Sequence, residues 1–465
     1  MVKPKGNGIM SGKWKIALAI VLALAVSAAF AKDDNGKKRT KRTRTEKTEK
    51  VEKKTSPAVE SEEKDEKAEA DGSAGNSELS AADANRAAGV ALFDDGRPLW
   101  ESAPTEVFKR MKLSMPKGGE NNPVLSVFTH RKVSCFGCGV EEFRVFVREG
   151  KIVRIDIMFL NKGDSVKVKV VSSNRSDFSK RLQREERELQ RTLGAAFGSP
   201  VRGVFGSGKQ ARQMPHWLCR EAAIAVEMND REFLMAHLIP REQVGRRKPQ
   251  SGTNRIDRSK IDLTKNIRRK ENGDVFIAGV PMVDQGSKGY CVPATLERYF
   301  RYYGITDFDM HRIADVGRTA AGGGTTLAGA LNGLHKMLHD SRLSVSSCGK
   351  LRMGAIVSAI DKGMPLIWAL NSSPYYVSRL KEHNAAREKC ESVAAWKKEL
   401  RKMRRIHSST EGAHMCLIIG YNSTTGEIAV SNSWGAGAAN ECSWVRFADA
   451  VVADQGCELY VIRAR

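Results

Sequence analysis

The chain has 465 residues, 41% hydrophobic and 28% charged, with 77 Lys and Arg against 54 Asp and Glu for a formal charge of +23. This apolar content supplies two modest cores over two or three domains, which excludes a wholly disordered or fibrous chain. The basicity is general and suits acidic substrates or an anionic cell-envelope surface; no nucleic-acid-binding motif accompanies it, so no specific nucleic-acid partner is expected.

At the N-terminus, Lys3, Lys5, Lys13 and Lys15 precede an apolar run from Ile16 to Val26, and Ala29-Phe-Ala31 places small residues where a signal peptidase reads. Residues 1–31 are therefore expected to act as a signal peptide, cleaved near Ala31, that sends the protein to the periplasm or outside the cell. The run from Ile16 to Ala31 is shorter than the roughly 20 residues a spanning helix needs, so no transmembrane segment is expected after cleavage. Residues 32–87 alternate Lys, Arg and Thr with Glu, then turn to Ala, Ser, Gly and acidic residues, with too few large apolar side chains to offset the entropy of ordering. A disordered charged linker is expected there.

Residues 88–240 carry the patterns of an α+β domain of unknown role. Phe143 to Val147 and Ile152 to Phe159 alternate apolar with charged residues around Glu149-Gly150-Lys151, which predicts a hairpin. From about Asp177, Phe178, Leu182, Leu189 and Leu193 share a helix face, and Ala222 to Val226 with Phe233 to Ile239 predict a second hairpin around Asn229-Asp230. Gly203-Val-Phe-Gly-Ser-Gly208-Lys209-Gln210 nearly spells a phosphate loop, but Gln210 stands where a Ser or Thr should hold magnesium, so no nucleotide is expected. Residues 241–273 turn polar and basic and read as an interdomain linker. It leaves open whether the upstream domain is a propeptide or a docking module.

Residues 274–465 hold the chemistry. Cys291 is followed by Val-Pro-Ala-Thr-Leu-Glu-Arg-Tyr-Phe-Arg-Tyr-Tyr-Gly304, with Leu296, Phe300 and Tyr303 at helical spacing, Pro293 in the first turn and a glycine where a helix would stop. A thiol at a helix N-terminus meets unpaired N–H groups and the positive end of the dipole, which favour thiolate and can hold an oxyanion. Gln285, six residues upstream, is a candidate second oxyanion donor. His414 precedes the apolar run Met415-Cys-Leu-Ile-Ile-Gly-Tyr421, a turn follows at Asn422-Ser-Thr-Thr-Gly426, and a second strand through Ile428 and Val430 delivers Asn432. Two antiparallel strands can thus bring His414 beside Asn432, whose carbonyl would orient the imidazole, with Trp434 as a shield.

Those residues resemble a papain-like cysteine peptidase. Gln285-Gly-Ser-Lys-Gly-Tyr-Cys291 is similar to the Gln-Gly-Ser-Cys-Gly-Ser-Cys of papain, Asn432-Ser-Trp-Gly435 matches its Asn-Ser-Trp-Gly, and the order Cys, His, Asn agrees. Cys291-Val-Pro-Ala-Thr through Gly304, the loop Gly323-Gly-Thr325 and Asp361-Lys-Gly-Met-Pro-Leu-Ile367 look more like bacterial peptidases that cleave the double-glycine leaders of bacteriocins. The resemblance implies an α+β papain-like domain, an N-terminal helical part plus an antiparallel sheet, with catalytic Cys291, His414, Asn432 and Gln285 and a peptide or protein substrate. Lys288 stands where papain has a half-cystine of a local disulfide, and Val292 where it has a tryptophan. A thiol amidase or transpeptidase on the same fold, or an inactive peptide-binding module, are the alternative functions.

The remaining candidates read as structural. No cofactor or metal is expected: His335 and His339 share a helix face at zinc-ligand spacing, yet lack the glutamate of the metalloprotease motif and a third ligand. Nine cysteines leave at least one unpaired, which a catalytic Cys291 would explain; Cys135 and Cys138 form a lone C-x-x-C open to a disulfide or redox role, and Cys416 reads as a buried thiol. The insertion near 371–411 places Val393, Trp396, Leu400 and Met403 at helical spacing, as expected of a helix packed on the core.

Overall fold

The computed structural model describes residues 79–116, 122–165, 175–205, 212–244, 261–320 and 324–465. The expected signal peptide, the linker up to residue 78, the end of the phosphate-loop-like string and residues 245–260 lie outside them. The described residues all fall within one unit, residues 71–465. Folded chain begins before residue 88: Ala81–Ala88 is a helix capped by Ser80, with Ala81, Ala84 and Ala88 buried. Its contacts are methyl groups, too small to mark it by periodicity.

Upstream, seven antiparallel strands form one sheet: β1 (Val124–Cys135), β2 (Cys138–Arg148), β3 (Lys151–Asn161), β4 (Val201–Phe205), β5 (Arg212–Cys219), β6 (Ala222–Asn229) and β7 (Phe233–Pro240), in the spatial order β1-β2-β3-β7-β6-β5-β4. The β2–β3 hairpin closes at Arg148 opposite Lys151, around Glu149 and Gly150 at φ 51° and 75°, and β6 pairs with β7 from Asn229–Phe233 onward. The helix Arg175–Phe197 buries Leu182, Leu189 and Leu193 against one sheet face. Because side chains alternate along a strand, that face takes Phe143 and Val145 of β2, Ile155 and Ile157 of β3 and Leu234, Ala236 and Leu238 of β7.

The opposite face carries the charges of the alternation: Glu142 and Arg144 on β2, Asp156 on β3, Glu227 on β6 and His237 on β7, all buried. A half-exposed sheet would show these residues to water. Here the downstream domain covers them. Arg144 bonds Glu297 and lies 3.6 Å from Asp309, Arg312 reaches Glu227 at 2.6 Å, and Asn229 donates to Asp315 at 2.9 Å. The His311 ring, Lys288 and Arg144 together overcome the upward push of burial and hold the Glu142 carboxyl at about 2.

The downstream domain is built on β8 (Ile267–Arg269), β9 (Val275–Ile277), β10 (Leu343–Ser347), β11 (Leu366–Asn371), β12 (Ala413–Asn422), β13 (Glu427–Ser431), β14 (Ser443–Arg446) and β15 (Tyr460–Ala464). The main path runs β10-β15-β11-β12-β13-β14, with β9 added beside β12 and β8 beside β9. Both faces are covered, which is why Met415 to Ile419 reads as an unbroken apolar run. Met415, Leu417 and Ile419 pack toward the helix Cys291–Tyr302 and its neighbour Leu327–Asp340, whereas Cys416 and Ile418 pack toward the helices Met353–Ile360 and Pro374–Glu388. The insertion forms two helices, Pro374–Glu388 and Val393–Lys402, and is seated on this core: Trp396 is buried and donates to Glu427 at 2.8 Å, beside His383 on the same carboxylate. Among the described residues no helix is long and apolar enough to cross a membrane.

Candidate active site

The helix Cys291–Tyr302 begins at the cysteine, with the carbonyl of Tyr290 accepting from the Ala294 N–H at 2.8 Å, and ends before Gly304 at φ 78°. Its residues 291, 295 and 298 share one face, since positions four and seven apart align. That face lies along β12 and the end of β13. The Thr295 hydroxyl donates to the Met415 carbonyl at 3.1 Å, and the Met415 N–H is among the donors acting on the Cys291 sulfur, so the thiol sits beside the residue that follows His414.

β12 and β13 pair antiparallel, with Leu417 opposite Ser431, which carries Asn432 back alongside His414. The His414 Nε2 lies 3.1 Å from the Asn432 Oδ1, leaving Nδ1 as the other ring nitrogen, and Trp434 stacks on the imidazole with ring centroids 4.5 Å apart. Gln285 is tied to the same strand end: its N–H donates to the Ser433 carbonyl at 2.9 Å, and the Ser433 hydroxyl donates to its side-chain oxygen at 2.6 Å. The side-chain NH2 of Gln285 makes no hydrogen bond to the described residues. The structure thus gathers His414, Asn432, Gln285 and the start of the Cys291 helix around one end of the sheet.

Arg298 fastens that gathering and was missed from sequence. Fully buried, its guanidinium donates to the carbonyls of Pro281 at 2.9 Å, Ser431 at 3.0 Å and Asn432 at 2.9 Å, and to the Ser431 hydroxyl at 2.5 Å. One side chain therefore ties the Cys291 helix to the segment before Gln285 and to the backbone of Asn432. No carboxylate partners it among the described residues, and burial lowers its pKa to about 10. Its spacing of seven from Cys291 was the available signal. Ser433, inside the Asn-Ser-Trp-Gly string, is the second omission; it orients Gln285.

Burial dominates the electrostatics of the site. Burial pushes the His414 imidazole down to about 4, against the Asn432 bond and helped by the charge of Arg298. Burial also raises the Cys291 thiol, against the pull of the N–H groups of Met415, Val292 and Cys291. Both directions favour the neutral thiol and the neutral imidazole and oppose the pull of the helix N-terminus toward thiolate. His335 and His339 are exposed, and no cluster of His, Cys, Asp and Glu that could hold a metal ion occurs among the described residues. Cys135 and Cys138 sit opposite each other as the closing pair of the β1–β2 hairpin, both buried, and all nine cysteines are free.

Comparison with known proteins bears on the downstream domain. Residues 277–452 match the Peptidase_C39 like family, from the end of β9 into the helix Phe447–Ala453 that follows β14, which is less than half of the chain. Among solved structures, a chain described as a C39-like peptidase from Bacillus anthracis aligns over 41% of this chain and 98% of its own, at 13% identity and a TM-score of 0.27. No curated protein matches. Residues 277–452 are thus similar to the C39-like peptidases.

Proposed function

We propose that the protein is an exported cysteine peptidase that hydrolyses peptide bonds with Cys291 as nucleophile, His414 as base, Asn432 as its orienting partner and Gln285 as oxyanion donor. The observation that carries this reading is the His414–Asn432 contact of 3.1 Å under Trp434, held on the strand that flanks the N-terminus of the Cys291 helix. In the proposed reaction the His414 Nδ1 takes the thiol proton as sulfur attacks the substrate carbonyl carbon. Negative charge then forms on the carbonyl oxygen, where the Cys291 N–H and the Gln285 NH2 can donate. Collapse breaks the C–N bond, the amine leaves with the proton held by His414, and water hydrolyses the remaining thioester. Export rests on the lysine-flanked apolar run from Ile16 to Val26.

The test is a peptide-library cleavage assay coupled to trapping by a thiol-directed acyl probe. Cys291→Ala should abolish both cleavage and trapping. His414→Ala should remove most cleavage, Gln285→Ala should lower kcat by about 100-fold to 1,000-fold, the scale of a lost oxyanion donor, and Asn432→Ala should do less. Trapping on a different cysteine, or wild-type turnover in His414→Ala, overturns the assignment. Trapping without any peptide cleavage redirects it to amidase or transpeptidase chemistry.

A further inference from the structure

Between Gln285 and Cys291 the chain turns through Gly286 and Gly289 at φ 59° and 71°, and the loop's two largest side chains leave the domain that carries them. Lys288 is fully buried, with its ammonium 3.1 Å from the Asp164 carboxylate, 3.9 Å from Glu142 and 4.3 Å above the Phe128 ring, all groups of the upstream domain. Tyr290 is equally buried and donates its hydroxyl to Glu232, whose other oxygen is paired with Lys162 at 2.5 Å. Both side chains pass the backbone of Gly163. A Cβ there would stand 2.8 Å from the Lys288 Cβ and 2.9 Å from the Tyr290 ring, so only glycine admits them.

Tyr290 is also the residue whose carbonyl starts the Cys291 helix. The Tyr290 carbonyl and the Cys291 N–H belong to one peptide plane, so a displacement of the Tyr290 backbone is passed directly to that N–H, and nearly two turns further along, Arg144 of the upstream sheet grips Glu297 of the same helix. We infer that the upstream domain is a working part of the thiol site: Glu232 and Asp164, acting through Tyr290 and Lys288, position the loop from Gln285 to Cys291 and thereby set the reactivity of Cys291. This rests on the reading of Cys291 as the nucleophile. Tyr290, Lys288, Glu232 and Asp164 are positioning residues, and the upstream domain is a permanent partner of the site rather than a removable segment.

The experiment uses the full-length protein and two independent readouts: the rate of Cys291 alkylation by iodoacetamide, located by peptide mapping, and kcat and KM on a reporter peptide from the library. Tyr290→Phe keeps the ring's volume and removes only the hydroxyl that tethers it to Glu232. It should slow alkylation and lower kcat by about tenfold, the cost of a sub-ångström misplacement, with little change in KM. Glu232→Gln retains an acceptor and should recover most of both rates, whereas Glu232→Leu should behave like Tyr290→Phe. Gly163→Ala should be the most severe. Alkylation and kcat in Tyr290→Phe and Glu232→Leu within twofold of wild type would overturn the inference. If wild type alkylates but cleaves no peptide, a loss of alkylation in the variants still supports the positioning role while the peptidase reading fails; unchanged alkylation in an active enzyme sinks the positioning role alone.

Discussion

The thiol site and the domain interface lie on different faces of the Cys291 helix and treat buried polarity in opposite ways. Around His414 burial disfavours charge on the imidazole and on the thiol, and the unpaired Arg298 guanidinium adds to that at the imidazole. Across the interface it buries Arg144, Glu142, Glu297, Asp309, Lys288 and Glu227, with Arg312 half-buried beside them, and offsets their desolvation with mutual pairing. A neutral site leaves its groups free to exchange a proton during a reaction. A paired interface fixes geometry, because removing any member strands another charge.

That contrast breaks most sharply at Arg144. Arg144→Met leaves Glu142, Glu297 and Asp309 without their shared cation and should cost about 3–5 kcal/mol, the scale for one partner removed from a buried pair, read as a lower midpoint in urea unfolding. Adding Glu297→Gln should return part of that loss. A smaller single-mutant effect, below about 1 kcal/mol, would mean that water reaches the network.

Acid titration sharpens the comparison, since the two regions yield in different windows. The folded pKa of His414, near 4, is below its ordinary 6.5. Its unfolded form therefore takes up the proton first, and stability present above pH 6.5 is lost as pH falls toward 4, by about 3 kcal/mol over the window. Glu142, held near 2 against an ordinary 4.5, contributes stability that is present above pH 4.5 and is lost only as pH falls toward 2. Urea midpoints measured from pH 7 to pH 3 should decline in the upper window in wild type and stay flatter there in His414→Gln. Proposed catalysis needs neutral His414, so turnover should persist to about pH 5 and fall through about pH 4.

The smallest effect is expected on the surface. Lys402 and Glu399 form an exposed pair at 2.9 Å, 61% and 40% accessible, and Lys402→Ala should change stability by less than about 0.5 kcal/mol in the same assay.

What the sequence disclosed was local. The Cys291 helix was legible from its proline, apolar spacing and terminal glycine, and the β12–β13 hairpin from an apolar run and a turn, because these signals lie within a dozen residues of each other. What it concealed depends on the partner surface. Glu142 and Arg144 alternate with Phe143 and Val145 as they would on a solvated strand, and nothing local tells a charge facing water from one facing Glu297. β1 went unread because His130 and Arg131, at φ 48° and 61°, break its register between Phe128 and Val133. Lys288 stood out only as a missing half-cystine; the fold gives the loop an ionic anchor in another domain where papain has a covalent staple in its own.

Arg298 shapes the electric field of the site as well as its scaffold. A guanidinium with no counter-ion among the described residues projects positive potential toward the Cys291 end of the sheet, and its effect on His414 is already to disfavour the imidazolium. The same potential lowers the energy of any anion that forms nearby. In the proposed mechanism the field is set before substrate arrives and needs no reorganisation as the carbonyl oxygen gains charge. It disfavours an imidazolium on His414 and favours negative charge beside it, whether sulfur or the carbonyl oxygen carries that charge.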